Sequence, residues 1–264
     1  MLPPSKLQKL QQSLKDYRKK FLDGKITELD ESGTRIMINV FLSDVLGYAP
    51  LEEIKTEYMI KGTYADYVVQ INKTRHFLVE VKALSFDLSE KHLRQTINYG
   101  ANEGIEYALL TNGRSFDFYK IIFEQPISQR LIFSLDLSDQ SKLKESIEYL
   151  QHLHRDSVVK NSFEPLWNKC EATDSYNIAG ILLSEPVTDL IRKLIKQKYD
   201  EKCEDDVIIA AVEKIIMEKM DPLMVRPFKA PRSRAQRPAK NKPTTMVEKG
   251  TSDVKEPDQS ATES

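Results

Sequence analysis

Residues 64–84 constrain this chain more than any other stretch. They read Tyr-Ala-Asp-Tyr-Val-Val-Gln-Ile-Asn-Lys-Thr-Arg-His-Phe-Leu-Val-Glu-Val-Lys-Ala-Leu. Aromatic and β-branched residues fill 64–71 and again 76–83, which predicts two adjacent strands joined by a short turn at Asn72-Lys73-Thr74. Side chains alternate across a strand, so Phe77, Val79, Val81 and Ala83 share one apolar face. The other face carries Leu78, Glu80 and Lys82. Two opposite charges thus stand on a strand that otherwise has the composition of a buried one. Burying charge costs free energy unless the charge is paired or holds a metal.

The strand pairing brings Asp66 beside Glu80. Two carboxylates next to a lysine suit a hard divalent cation such as Mg²⁺, which prefers oxygen ligands. A cation there polarises a phosphoryl oxygen and acidifies bound water, and the Lys82 ammonium orients that water or offsets developing negative charge. The bland account is an ordinary cross-strand ion pair on a surface strand, and Glu-x-Lys alone occurs by chance in most proteins. Further down the chain, Gln95 and Tyr99 stand four residues apart in a helical pattern and so share a face that looks back at the strand ends.

The arrangement Asp66 … Glu80-Val-Lys82 … Gln95-x-x-x-Tyr99 resembles the PD-(D/E)XK nuclease superfamily, and within it the N-terminal nuclease domain of type I restriction enzyme R subunits. Phe41-Leu-Ser-Asp-Val-Leu-Gly-Tyr48 and Leu109-Leu-Thr-Asn-Gly-Arg-Ser-Phe-Asp-Phe-Tyr119 extend the resemblance over about residues 25–135. Ala65 departs from it, standing where the family name places proline. The resemblance implies an Mg²⁺-dependent DNA endonuclease, with Mn²⁺ as an alternative ion. Asp66 and Glu80 hold the metal, the Val81 carbonyl is a third ligand, Lys82 positions water, and Gln95 and Tyr99 shape the site. An extra carboxylate from the preceding helix often completes such sites. Glu31 is the first candidate, Glu28 the reserve and Glu57 a third. An acidic helix start that complements the macrodipole accounts equally well for Glu31.

Around this core, residues 5–22 show helical spacing of Leu7, Leu10, Leu14 and Tyr17, with Ser5 as a cap and Asp23-Gly24 as the stop. A second helix is predicted from Ser32 to Leu46, ended by Gly47, with Ile36, Val40, Phe41 and Val45 as its buried stripe. Strands follow at 53–60, at the central pair, at 107–111 and 115–123 around Asn112-Gly113, and at 130–135, with a helix at 88–102 between them. That order gives an α/β fold with a mixed sheet.

From Ser138 the pattern becomes helical, with apolar stripes at Leu143/Ile147/Leu150/Leu153, at Val187/Leu190/Ile191/Leu194/Ile195 and at Val207/Ile208/Ala211/Val212/Ile215/Ile216. They predict an all-α region of four or five helices whose stripes are core. His152 and His154 read as surface residues. Between 222 and 247 stand seven Lys or Arg and no acid, amid prolines, and an acidic end follows. That composition predicts a disordered tail suited to loose phosphate contact.

The expected organisation is an N-terminal helix at 1–24, the PD-(D/E)XK nuclease-like domain at 25–137, a helical domain at 138–222 and a disordered tail at 223–264. The 264 residues allow a real core, while a formal net charge of −1 decides nothing about nucleic acid. Two isolated cysteines, no apolar leader and no long apolar run predict a soluble, cytoplasmic protein with no membrane partner. No phosphate-binding glycine loop occurs, so there is no ATP site, and ATP dependence is not carried over. DNA is the expected partner, with motor or specificity subunits of a restriction or defence system as further candidates. The competing expectation is a nuclease fold that has lost its chemistry and serves as a nucleic-acid-binding or scaffold protein.

Overall fold

Helix α1 (Pro4–Phe21) opens on a proline, whose fixed φ and missing N–H suit a first helical position. Ser5 lies inside the helix and makes no cap; the cap position is Pro3. Leu10, Leu14, Tyr17 and Phe21 form its buried face, and the basic last turn complements the helix dipole. The computed structural model describes residues 1–217 except Lys25, Thr27, Lys61 and Gly62, without the side chains of 57–60, 63, 64, 95, 216 and 217. The tail expected at 223–264 lies outside the described residues.

Helix α2 (Glu31–Val40) starts one residue before the expected Ser32, because Asp30 caps it: Asp30 Oδ1 accepts the Gly33 N–H at 2.7 Å. It runs into a π-helical turn, Phe41–Val45, rather than continuing as α-helix to Leu46. Thr34, Met37, Ile38, Phe41, Leu42 and Val45 are buried, while Ile36, expected in the core, is 65% exposed.

Six strands follow: β1 (Ile54–Ile60), β2 (Thr63–Ile71), β3 (Thr74–Val81), β4 (Tyr107–Thr111), β5 (Ser115–Ile122) and β6 (Ser128–Asp136). They lie in one sheet in sequence order, every neighbour antiparallel except β3 and β4, which are parallel. A parallel pair needs a crossover. Here a 3₁₀ turn, Glu90–Leu93, and helix α3 (Arg94–Glu103) supply it. The β2–β3 turn is two residues long, with Asn72 and Lys73 both at positive φ. This is the geometry that matches strand twist.

The crossover puts α3 on one face of the sheet. There Leu93, Ile97 and Tyr99 pack with Ala65, Val68, Leu78, Ala108, Leu110 and Ile121. Gly100 permits the close approach: a Cβ on it would stand 2.6 Å from Ile121 Cδ1 and 2.8 Å from the Ile105 carbonyl. The opposite face carries a larger cluster that joins α1, α2, Phe77, Val79, Val81, Phe116, Phe118 and Phe133.

Six helices follow the sheet among the described residues: α4 (Leu143–Leu153), α5 (Arg155–Val158), α6 (Phe163–Ala172), α7 (Ser175–Leu182), α8 (Glu185–Tyr199) and α9 (Asp205–Met217). The first three share the sheet's larger cluster through Ile147, Leu150, Leu153, Val158, Phe163 and Leu166. The Phe163 ring sits 5.0 Å from that of Phe118 and 5.7 Å from that of Phe77. Arg155 holds the buried Glu53 carboxylate with Nε at 2.8 Å from both oxygens, tying α5 to the start of β1.

The later stripes differ in part from expectation. Ile208 and Val212 are buried as expected, but Leu190 is 55% exposed and Val207 58%, and α7 buries no residue. The two histidines are also not surface groups. His152 and His154 are both half-buried, and burial lowers the pKa of each. His154 caps α5, its Nδ1 accepting the Asp156 N–H at 3.2 Å. Among the described residues, no helix is long and apolar enough to cross a membrane.

Candidate active site

The carboxylates expected to work together do meet. The β2–β3 register pairs Tyr67 with Val79, which sets Asp66 opposite Glu80 one step further along. Side chains opposite each other on antiparallel strands share a face. β3 is an inner strand, so Glu80 is buried, only 8% exposed. Its oxygens are both bonded: Oε1 accepts from Lys82 Nζ and Oε2 from Thr96 Oγ1, each at 2.8 Å. Burial raises the Glu80 pKa, the Lys82 contact works against that, and the facing Asp66 charge raises it further. Lys82 responds in the same direction. Burial disfavours its charge, but the Glu80 bond and the surrounding carboxylates win and lift its pKa.

Lys82 stands just past the end of β3, which stops at Val81 instead of running to Ala83. Its backbone N–H still donates to the Thr111 carbonyl at 2.8 Å, extending the bond to β4. The next turn of chain is tethered twice more. Leu84 N–H donates to the Leu29 carbonyl at 3.1 Å, and Asn112 Nδ2 donates to the Phe86 carbonyl at 2.8 Å. Asn112 also folds its own hairpin, with Oδ1 accepting the Arg114 and Ser115 N–H groups at 3.0 and 2.7 Å.

Helix α2 closes the site from above the strand ends. Glu31 Oε1 lies 3.5 Å from Lys82 Nζ. One helical turn on, Arg35 donates Nη2–H to Asp66 Oδ1. Asp66 Oδ2 accepts the Val81 N–H at 2.7 Å, so both its oxygens have partners. Tyr67 fixes the helix there, its hydroxyl donating to the Arg35 carbonyl at 2.9 Å. Burial opposes the charge on Arg35, and the Asp66 carboxylate outweighs it.

Glu31, Asp66, Glu80 and Lys82 are thus brought together, and Val81 joins them through its backbone N–H. Glu28 is exposed. Glu57 lies on β1 between the partners of Tyr67 and Ala65, in register with Asp66; its side chain and that of Gln95 fall outside the described residues. Tyr99 is wholly buried in the cluster between α3 and the sheet. Arg35 and Thr96 went unread in the sequence. Thr96 follows Gln95 directly and takes the place on α3 that contacts Glu80.

Comparison with known proteins bears on this geometry directly. Residues 30–130 match the family of type I restriction enzyme R protein N termini. Every charged residue of the site lies within the matched segment, from Glu31 through Asp66 and Glu80 to Lys82, and Thr96 does as well. The match supports a nuclease-like role for the segment. A solved structure titled "cryoEM structure DrdV-DNA complex" contains a chain similar to this one at 16% identity, covering 57% of this chain and 96% of that chain, with a TM-score of 0.34. No curated protein matches.

Asp66 and Glu80 present the oxygen donors that hard cations prefer. Among the described residues no group of three or more His, Cys, Asp or Glu side chains could hold a metal. Mg²⁺ does not require one, since it is bound by one or two carboxylates and keeps several waters. Two carboxylates face each other at the strand ends, one with a raised pKa from burial and like charge. Those are groups that a cation between them would relieve.

Proposed function

We propose that this chain is an Mg²⁺-dependent deoxyribonuclease module that hydrolyses phosphodiester bonds. The observation that carries the reading is the clasp at the end of β3. Glu80 is buried, bonded to Lys82 and Thr96, and set opposite Asp66. Ordinary surface ion pairs stabilise a fold by about 0–1 kcal/mol and do not call for such burial. The residues that would hold the cation are Asp66 and Glu80, with the Val81 carbonyl. When bound, Mg²⁺ or Mn²⁺ supplies Lewis-acid polarisation and an acidified water.

The chain's own groups do the rest. Thr96 fixes the direction of the Glu80 carboxylate. Lys82 holds a positive charge near the strand ends, where it can orient water and offset charge growing on the phosphate. Glu31 keeps that ammonium from turning away. Tyr99 acts through packing, holding α3 against the sheet so that Thr96 reaches Glu80. DNA is the substrate that the restriction-enzyme resemblance supplies, and motor or specificity subunits of such a system are the partners it suggests.

The test is purified protein with Mg²⁺ and no ATP, on linear and supercoiled, single- and double-stranded DNA. Cleavage should appear, stop with EDTA, and fall about a hundred- to thousandfold in Lys82→Ala while the fold persists. Cleavage that survives Asp66→Ala and Glu80→Ala would remove the site from consideration. Equal trace activity in wild type and Lys82→Ala would favour the alternative, a nuclease fold that now only binds nucleic acid. One observation speaks for that alternative: the Arg35–Asp66 pair neutralises a metal ligand with a protein group.

A further inference from the structure

The loop that leaves the site sorts its apolar residues unevenly. Past Lys82 the chain reads Ala83-Leu84-Ser85-Phe86-Asp87-Leu88. Leu84 is buried in the cluster that joins α1 and α2, and Leu88 packs against the cluster beneath α3. Phe86 stands between them, is larger than either, and is 56% exposed. A single exposed apolar residue is ordinary on a protein surface. Here core lies within reach on both sides, and the ring is still held out of it.

The backbone fixes the ring in that place. Phe86 N–H donates to the Ala83 carbonyl at 2.9 Å and closes a turn, while the Phe86 carbonyl accepts Asn112 Nδ2–H at 2.8 Å. The ring meets His92 edge to face, with centroids 6.1 Å apart and planes at 65°. His92 is itself held, its Nδ1 accepting the Ser89 N–H at 3.3 Å at the start of the 3₁₀ turn. It stands four residues before Thr96 and so on nearly the same side of the crossover. Thr96 is the residue that bonds Glu80. Phe86 therefore flanks the site on the α3 side of the sheet. The closed turn keeps its Cα within about 7 Å of that of Ala83, next to Lys82. That is roughly two nucleotides of a stacked strand at about 3.4 Å each.

We propose that Phe86 is a base-stacking platform beside the scissile phosphate, and that the site takes DNA whose bases are unpaired there, as in a single strand or a locally opened duplex. This rests on the nuclease reading and deepens it by naming the substrate class. Every base has a π-face, so the ring adds affinity without reading sequence. In an intact duplex the bases beside the phosphate are already stacked on their neighbours, and one must leave the stack to reach the ring. An unpaired base comes to it directly. The tethered backbone serves the same end, since a ring already in place loses little freedom when a base docks.

The experiment is fluorescence anisotropy of labelled oligonucleotides of equal length on the full chain, in EDTA so that nothing is cut. The probes are a dT strand, a strand with the same backbone whose bases are all missing, and a duplex. Wild type should prefer the dT strand to the abasic one. Phe86→Ala should bind the dT strand roughly 5- to 100-fold more weakly, with the abasic strand and the duplex unchanged. Its affinity should keep the wild-type slope against salt, because no phosphate contact is removed. Phe86→Leu, apolar but without a π-face, should lose as much as the alanine variant, and Phe86→Trp should retain binding. Thermal melting confirms that each variant is folded. Equal losses on all three probes, or dT binding that survives in Phe86→Leu, overturn the platform. A wild type that binds none of the probes overturns the DNA reading itself and takes the platform with it. Binding of the dT strand that is indifferent to Phe86, or a wild type that does not distinguish dT from abasic strand, removes the platform alone. Because EDTA is present, none of these outcomes depends on whether Asp66 and Glu80 hold a cation.

Discussion

The sheet and the helices α7 and α8 treat hydrophobic and charged residues in opposite ways. In the sheet, both faces of β3 are buried under helices, and two of its neighbouring charges are drawn inside with their partners. In α7 no residue is buried, and Tyr176, Ile178 and Ile181 are 86%, 42% and 56% exposed. The same chain hides a glutamate and displays isoleucines. Hydrophobicity alone decides neither case. Position in the sheet does: an inner strand reached by a parallel crossover is covered on both sides whatever it carries, so its polar groups must be satisfied from within.

The largest effect should come from breaking the covered side. Phe118→Ala removes a ring that stacks on Tyr107 and Phe133 and is fully buried. It should cost about 3–5 kcal/mol in urea unfolding. A loss under about 1 kcal/mol would mean that the aromatic cluster is not the core it resembles.

Next in size is the bond that lets a charge live there. Thr96→Val keeps the shape and leaves Glu80 Oε2 without its donor, whereas Thr96→Ser keeps the hydroxyl. The valine variant should lose about 1–3 kcal/mol of stability, and the serine variant should recover most of it. Equal losses in both would assign Thr96 to packing alone.

A smaller effect separates charge from shape at Glu80 through pH. Its folded pKa is raised, chiefly by burial, so the folded state holds that proton more firmly than the unfolded state does. The contribution is therefore fully present below the unfolded pKa and is lost as pH rises through the raised folded value. The stability of wild type relative to Glu80→Gln should fall across that window and then level off. A relative stability that rises with pH would reverse the sign and show that Lys82 outweighs burial.

The smallest effect belongs to the displayed side. Leu190→Ala on α8 should change stability by about 0.5 kcal/mol or less. A cost comparable to that of Phe118→Ala would show that this face is covered in solution and that the contrast between the two regions is false.

Much of the sheet was legible because its signals are local. Alternation marked β3, Asn72-Lys73-Thr74 marked a short turn, of which Thr74 belongs to β3, and Asn112-Gly113 marked the β4–β5 hairpin. Glu80 and Lys82 were legible as a pair from strand alternation, but Asp66 faces Glu80 only because the register shifts by one residue between Val69 and Gln70; the register next to the turn would set Asp66 opposite Val79. What escaped depends on contacts between distant elements. Arg35 meets Asp66 across 31 positions, with no spacing rule to announce it. Thr96 looked like filler between Gln95 and Tyr99, although the α3 face that meets Glu80 runs through it. Tyr99 shares that helix, and its ring went into the cluster beneath. Ile36 was placed in the core with Val40, but the buried face runs through Thr34, Met37, Ile38, Phe41 and Val45, and Ile36 lies off it.

The hairpin that latches the loop after Lys82 carries a chemical clock. Asn followed by Gly is the dipeptide most prone to deamidation, because the unhindered glycine nitrogen attacks the asparagine amide. Here that nitrogen is occupied, its N–H donating to Thr111 Oγ1 at 2.9 Å, and the Asn112 amide is held at both ends. Succinimide closure must therefore wait for the turn to open. In a folded preparation kept at mildly alkaline pH, the intact mass at Asn112 should hold steady while unfolded chains drift. Once converted to Asp, the residue presents an oxygen to the Phe86 carbonyl where it had presented an N–H. The loop beside the site would come loose before the sheet did, and ageing would reach the chemistry first.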